Sequence, residues 1–302
     1  MTTNFPDHAA SNYSKEQVES ALDFLIKRWE EREDCRFDAA YPIEFHAPSM
    51  DEEELEAASR SLLHNGIVVL RDFLTPERAT RLADRVTGLV ETLRPEIARG
   101  QSIDRDDLLI HNVTGRHLKT FPDFNEYGKP VINIRPKPDS GMMDIFHIDR
   151  LFPELPDFTS LRNDLVHGIL DRLRTVRYSP INTNIYYNES VGATRGFHAD
   201  SFTPQIKAMM YLTDALDASD GPHYYALGTH RDTVTRALNV DINRHLGNPM
   251  ETDMPFFDKN RILPLLGRRG TVFISYQAGA HRGGPQAAGA RRIVLMQNYM
   301  PS

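Results

Sequence analysis

Arg292-Ile293-Val294-Leu295-Met296-Gln297-Asn298-Tyr299 starts on a guanidinium and passes through four consecutive apolar side chains without a glycine or proline. A short apolar run of this kind, bounded by turn-forming residues, is too short for a buried helix and reads as a buried β-strand. Three other segments share its texture: Ile181–Tyr187, Ile206–Thr213 and Thr271–Tyr276. Clusters of Gly, Pro, Asp and Asn separate them, which is the pattern of an antiparallel sandwich or barrel. The expected fold class is therefore mainly β with flanking helices (α+β), with the β-rich core beginning at about residue 178.

Upstream the texture is helical. Ser14 to Asp34 places Val18, Ala21, Leu22, Leu25, Ile26 and Trp29 on one helical face, and Ser14 with Gln17 is spaced as a capping box. The stripe is too short for a coiled coil and too acidic for a membrane surface, so it is read as packing on the main body. A second helix is expected from about Asp51 to His64, with Gly66 as its left-handed C-terminal residue. Strand Ile67–Leu70 follows. Thr75 then caps a helix that opens on Pro76 and reaches about Arg94, before Pro95. Gly100 to Asp157 reads as loops and short strands, and Asp157–Arg174 as a helix with Leu161, Leu165, Ile169 and Leu173 on one face. Residues 1–50 are thus an N-terminal helical extension, and 51–302 a single domain.

Composition removes several functions. The 302 residues carry 35 Lys and Arg against 42 Asp and Glu, a net charge of −7, with the basic residues scattered. That distribution is unlike a nucleic-acid footprint and favours a small-molecule partner. No apolar run approaches the ~20 residues of a membrane span, and Met1–Ala10 lacks a secretory pattern. Cys35 is alone, so neither an internal disulfide nor a Cys-rich zinc module can form, and the cytoplasm is the expected compartment. No internal repeat or low-complexity tract is present. The sequence carries no signal for oligomeric state.

His198-Ala199-Asp200 sets an imidazole and a carboxylate two residues apart, so in extended backbone both project from one face. His281, after the strand-like segment Thr271–Tyr276, supplies a second imidazole. Two His and one carboxylate form a facial triad that leaves open positions on an Fe(II) ion. His147-Ile148-Asp149 is a second such pair, and the interval from His147 to His230 equals that from His198 to His281. Spacing alone does not choose between them. The downstream context does: His281 leads to Arg291-Arg292 at the head of a clean strand, whereas His230 leads into Asp232-Thr233-Val234, a turn or short helix. His198, Asp200 and His281 are the favoured metal set, with His147 and Asp149 a surface or structural hydrogen-bonding pair and His230 a loop-locking residue.

These residues carry a family resemblance. Gly196 to Asp200, Ile206 to Asp214, Gly221-Pro222 through Gly228-Thr229-His230-Arg231, His281 and Arg292 together resemble the phytanoyl-CoA hydroxylase-like Fe(II)/2-oxoglutarate dioxygenases. Asn65 to Pro76 is similar to that family's opening helix-strand-helix element, so the resemblance spans roughly residues 55 to 300. It implies a double-stranded β-helix, a cupin-like jelly-roll. It implies Fe(II) held by His198, Asp200 and His281, with 2-oxoglutarate and O2 as co-substrates. The far carboxylate of 2-oxoglutarate would pair with Arg292, or with Arg291 as the fallback; the two point to opposite faces of a strand, so only one can serve. A guanidinium suits the task because its planar fork holds a carboxylate through two parallel hydrogen bonds. Asn182, Asn184 and Tyr186 share a strand face before the HxD pair and Met210 lies on the strand after it; Asn184, Tyr186 and Met210 are further candidates to line the pocket.

The implied reaction is oxidation, most simply hydroxylation, of a C–H bond in a small metabolite, coupled to decarboxylation of 2-oxoglutarate to succinate and CO2. Related halogenases have a small residue in place of the acidic ligand, so Asp200 implies no halogenation. The sequence departs from the family in reading Gly228-Thr229-His230 for Gly-Ser-His, and in placing Arg282 after the distal histidine with no following Asn. Residues 99–157 precede the core and are expected to shape the substrate, with Arg116, His117, Lys119, Arg135 and Lys137 as candidate contacts, in an enzyme of specialised metabolism. The alternatives are a cupin-like metalloenzyme that does not use 2-oxoglutarate and a ligand-binding jelly-roll.

Overall fold

The computed structural model describes residues 41–112, 121–136, 139–153, 164–174 and 176–302, together with six positions between 14 and 23. Two sheets make the core. The larger holds ten strands in the order β1 (Glu44–His46), β2 (Ile67–Arg71), β11 (Val272–Tyr276), β8 (Ile206–Tyr211), β13 (Arg291–Pro301), β7 (Tyr178–Glu189), β6 (Met142–Phe146), β5 (Val131–Ile134), β4 (Leu109–His111) and β3 (Ile103–Asp104). The smaller is β10 (Ile262–Leu265), β9 (His223–Ala226) and β12 (His281–Gly283). This is a jelly-roll, and the four runs read from the sequence become β7, β8, β11 and β13.

The sheet is buried on both faces. Along β13, Ile293 and Leu295 join a cluster that includes Leu62, Val86, Ile185, Tyr187 and Met210. Val294 and Met296 point the other way, into a cluster with Met209, Tyr211, Tyr225 and Phe273 between the two sheets. Alternation therefore sends one set of side chains toward the helices and the other into the barrel. Each fully buried Ile or Leu stabilises this layering by about 1.5–3 kcal/mol.

The flanking elements follow their local chemistry. Asp51 caps helix Glu52–Asn65 with a reciprocal capping box, and Gly66 ends it at φ 85°, where any Cβ would also strike the His230 ring. Thr75 caps Pro76–Ile97, which continues through Pro95 rather than stopping before it. Pro95 gives up only its own N–H, while Ala98 N–H still reaches the Arg94 carbonyl, so the last turn closes. Asp232 caps a helix of 13 residues, Thr233–His245, where only a turn or short helix was expected. The reciprocal Ser14–Gln17 hydrogen bonds are present at 2.7 and 3.2 Å, while Trp29 and Cys35 lie outside the described residues. Helix Asp164–Asp171 represents the described part of the segment read as Asp157–Arg174. Strand β1, within the first fifty residues, pairs with β2 and so belongs to the main sheet. Among the described residues, no helix is long and apolar enough to cross a membrane.

Candidate metal centre

His198 lies on an extended segment that pairs with His281 of β12, each backbone N–H donating to the other's carbonyl at 3.0 and 2.9 Å. This reciprocal pair fixes the two imidazoles side by side, with ring centroids 4.8 Å apart. On its other edge the segment is held by Ala199 N–H to the Thr252 carbonyl and Met254 N–H to the Phe197 carbonyl. Asp200 N–H donates to the Gln277 carbonyl at 3.0 Å, which turns its carboxylate toward both rings. The three donors lie within 4.8 Å of one another, and His198, Asp200 and His281 are the one such group among the described residues.

Each ring is oriented by the carbonyl two residues before it. His198 Nδ1 donates to Gly196 at 2.8 Å and His281 Nδ1 to Gly279 at 2.9 Å. A carbonyl only accepts, so the proton is placed on Nδ1 and the Nε2 lone pairs face Asp200 Oδ1, at 3.4 and 3.6 Å. Donors around one ion with bonds of about 2.1 Å stand about 3 Å apart, so little movement separates this arrangement from a coordination set. Burial alone would raise the Asp200 pKa, but the Lys207 ammonium ion-paired with it holds the carboxyl well below its usual range. Burial lowers that of His198. The protonation states are those a metal requires: an ionised carboxylate and a neutral imidazole.

The loop expected to be a lock acts as one. Thr229 Oγ donates to the Ala226 carbonyl at 2.6 Å and accepts from Ala280 N–H at 2.8 Å, tying the loop to the residue before His281. His230 stacks on Tyr276, with centroids 5.1 Å apart and planes at 8°, and its Nε2 meets the Leu63 carbonyl at 3.1 Å. His147 Nε2 is spent on the Phe124 carbonyl at 2.9 Å, so the second HxD pair and His230 do not converge.

The two candidate arginines separate as strand alternation requires. Arg291 points outward and pairs with Glu189 at 2.6 Å and Glu91 at 3.5 Å. Arg292 is 4% exposed, faces the barrel, and has no carboxylate partner among the described residues. Burial lowers its pKa. With the Asn188 amide oxygen turned toward it, Nη2 and Nε donate at 2.7 and 3.1 Å, while Nη1 has no partner. A Cβ at Gly283 would sit 2.9 Å from Nη2, so glycine at this position of β12 leaves the guanidinium its space.

Asn184 and Tyr186 share the inner face with Asn188. Asn184 is 1% exposed and neither its Oδ1 nor its Nδ2 has a partner; Tyr186 packs on the inner cluster and accepts from Lys207 Nζ at 3.4 Å. Met210 is a correction: alternation along β8 sends it into the helix-side cluster, and Lys207, Met209 and Tyr211 take the barrel face. Arg135 is held by Asp144 through two hydrogen bonds of 2.8 and 2.6 Å, so it is not a free cation for a substrate. Arg116, His117, Lys119 and Lys137 lie outside the described residues.

Solved structures share this architecture. AviO1 from Streptomyces viridochromogenes Tue57 superposes with a TM-score of 0.52 at 16% identity, covering 83% of this chain and 95% of that one. The non-heme α-ketoglutarate-dependent carbocyclase SnoK from nogalamycin biosynthesis gives 0.52 at 13%, covering 85% and 87%. The epimerase SnoN, in complex with Fe3+, α-ketoglutarate and nogalamycin RO, gives 0.50 at 13%, covering 83% and 85%. What is shared is the fold. No family model and no curated protein matches the chain.

Two pocket residues, Lys207 and His223, were missed from the sequence. His223, on β9, stacks on Phe273 with centroids 5.4 Å apart and lies at the same distance from the His281 ring; its Nε2 has no partner. Burial, then His281 and Arg292, hold its pKa well below the ordinary value, so it is a neutral imidazole facing the same space as Arg292. The sequence signal was a polar residue at the first position of a strand whose alternate residue, Tyr225, is core.

Proposed function

We propose that this protein is a non-haem Fe(II)- and 2-oxoglutarate-dependent oxygenase of the phytanoyl-CoA hydroxylase-like kind, acting on a C–H bond of a small molecule. The observation that carries the reading is the pairing of an intact His198–Asp200–His281 set with a buried arginine that lacks a carboxylate. Arg292 meets β12 at Gly283, two residues beyond His281, and two residues of a strand span about 7 Å. A span of that order matches the length of a five-carbon dicarboxylate held at one end by a metal at the triad and at the other by the guanidinium. Charge agrees: Asp200 and Lys207 cancel, leaving Arg292 and a divalent metal to face a dianion.

His198, Asp200 and His281 would hold the iron, which when bound supplies the oxidising chemistry with O2 and 2-oxoglutarate. The chain's own work is positional. Gly196 and Gly279 carbonyls set the ring tautomers, Arg292 grips the far carboxylate, and Asn184, Asn188 and His223 offer hydrogen bonds along the pocket. The inner cluster of Met209, Val294 and Met296 excludes water beside them. With a carboxylate as the third ligand, hydroxylation is the expected outcome.

Thermal unfolding under anaerobic conditions tests this. A ligand of the native state at about 100 times its Kd stabilises by about 2.7 kcal/mol. 2-Oxoglutarate is expected to raise Tm only when Fe(II) is present, and succinate is expected to accumulate once O2 is admitted. A metal-dependent Tm with no response to 2-oxoglutarate would discard the co-substrate and leave a metal-only barrel.

A further inference from the structure

The second oxygen of Asp200 does not face the histidines. Oδ1 is the atom 3.4 and 3.6 Å from the two Nε2 atoms, while Oδ2 is ion-paired with Lys207 Nζ. Lys207 is 9% exposed and its Nζ has a further contact, the Tyr186 hydroxyl at 3.4 Å. Its backbone cannot drift, because β8 is the strand between β11 and β13, where Lys207 stands opposite Ser275 and Asn298. An ammonium buried beside a divalent cation site is electrostatically adverse. Its place there calls for a compensating role, and the geometry supplies one.

We propose that Lys207 is a positioning residue that reserves Oδ2 of Asp200, so that the carboxylate meets the metal through Oδ1 alone and cannot chelate it. This rests on the metal reading above and extends it. A carboxylate free to rotate can bind a cation through both oxygens. Chelation would take one of the positions that a facial triad otherwise leaves open on an octahedral ion, and bidentate co-substrate binding plus O2 uses all of them. Lys207 thus acts on the number of open positions, through Asp200, without touching the metal.

The test uses the full-length protein and Mn(II) alone, with no 2-oxoglutarate. Water-proton relaxation and line broadening by 17O-enriched water in the Mn(II) spectrum count coordinated waters. In Lys207→Met the freed carboxylate is expected to chelate, and the count to fall by one relative to wild type. Lys207→Gln keeps a neutral donor for Oδ2 and is expected to restore the wild-type count. Tighter Mn(II) binding in Lys207→Met with an unchanged count would mean that the ammonium merely competes with the cation for Asp200, and would overturn the proposal. The wild type gives a second readout that needs no variant. Infrared difference spectra on adding metal should show the wide separation of carboxylate stretches that marks one-oxygen ligation, and a narrow separation would overturn the proposal as well. Absence of Mn(II) binding would fail the metal reading itself; binding with the wrong denticity would fail only the role of Lys207.

Discussion

Arg292→Met separates a co-substrate clamp from a structural arginine because the two roles predict opposite signs. In the free protein Arg292 is a buried cation with Asn188 as its hydrogen-bond partner and an unpartnered Nη1. Removing an unpaired buried cation relieves a desolvation cost of several kcal/mol, which exceeds the roughly 1–3 kcal/mol of leaving the Asn188 oxygen without its donor, so the Arg292→Met variant without ligand should melt at or above wild type. The ligand-bound state should lose two parallel charge-assisted hydrogen bonds. At the lower end of about 1.5 kcal/mol each, the loss is about 3 kcal/mol, or roughly 150-fold in Kd. Anaerobic titration of the Fe(II) protein with 2-oxoglutarate, followed by the weak visible charge-transfer band of the chelate, measures this directly. Arg292→Lys keeps the charge without the fork and should fall between the two. An Arg292→Met variant that binds 2-oxoglutarate within about threefold of wild type, or that unfolds several degrees early without ligand, would refute the reasoning.

Other outcomes follow from the same geometry. Asp200→Ala should abolish stoichiometric Fe(II) binding, read by equilibrium dialysis, because two neutral imidazoles alone do not offset the ion's desolvation; full metal occupancy in this variant would remove the triad from the metal. Gly283→Val should weaken 2-oxoglutarate by about tenfold while leaving iron binding intact, since its Cβ would stand 2.9 Å from Arg292 Nη2. His230 governs an acid limb of stability. Burial, with Arg231, His64 and Arg236 nearby, lowers its pKa from 6.5 to about 4 in the folded state, so the unfolded chain binds the extra proton between those values. The stability is fully present above pH 6.5 and lost as pH falls toward 4, by about 3 kcal/mol at 1.36 per unit. Denaturant titrations across that range should show this loss in wild type and not in His230→Gln; parallel curves would assign the limb elsewhere.

The strands were legible because their burial leaves a local mark. β8, β11 and β13 lie in the middle of a sheet covered on both faces, so their apolar runs are nearly continuous, while β7 beside them reads by the apolar stretch Ile185–Tyr187 between Asn residues. Capping chemistry is equally local, and Asp51, Thr75 and Gly66 each act at the end of the helix they punctuate. What sequence could not give was the extension of the sheet by β3 to β6. These strands run two to five residues, and only β6 pairs with β7, with β5, β4 and β3 added outward in turn, so their place in the sheet is decided by a contact far along the chain. The length of Thr233–His245 was legible and was underread: Ala237, Leu238 and Ile242 stand at helical spacing, but the same buried face also carries Asn239 and Asn243, which hydrogen-bond the backbone of residues 251–256 and weaken the apolar stripe.

The site divides along the same line. A two-residue motif such as His198–Asp200 is visible because extended backbone alone places both side chains together, and the distal His281 is found through the strand that follows it. Which of Arg291 and Arg292 faces inward depends only on alternation once one neighbour is assigned, and Ile293 and Leu295 on the helix side send Arg292 into the barrel. The same rule, applied to β8, excludes Met210 and selects Lys207, so the misplacement of Met210 was an error of phase and not of strand. His223 and Lys207 were hidden by something different. Each has an ordinary local setting, and each becomes chemically distinctive only through a partner reached by folding: Lys207 through Asp200, His223 through Arg292 and His281. Reading such residues from sequence would require assigning, for every inward position of every barrel strand, which polar side chain lacks a local reason to be there. Lys207 stands between Ile206 and Ala208 in a strand buried along its whole length, and the cost of burying an unpaired ammonium already implies a carboxylate opposite it. Phase and desolvation together therefore extend the legible part of the site from the candidate metal donors to Lys207, the residue ion-paired with one of them.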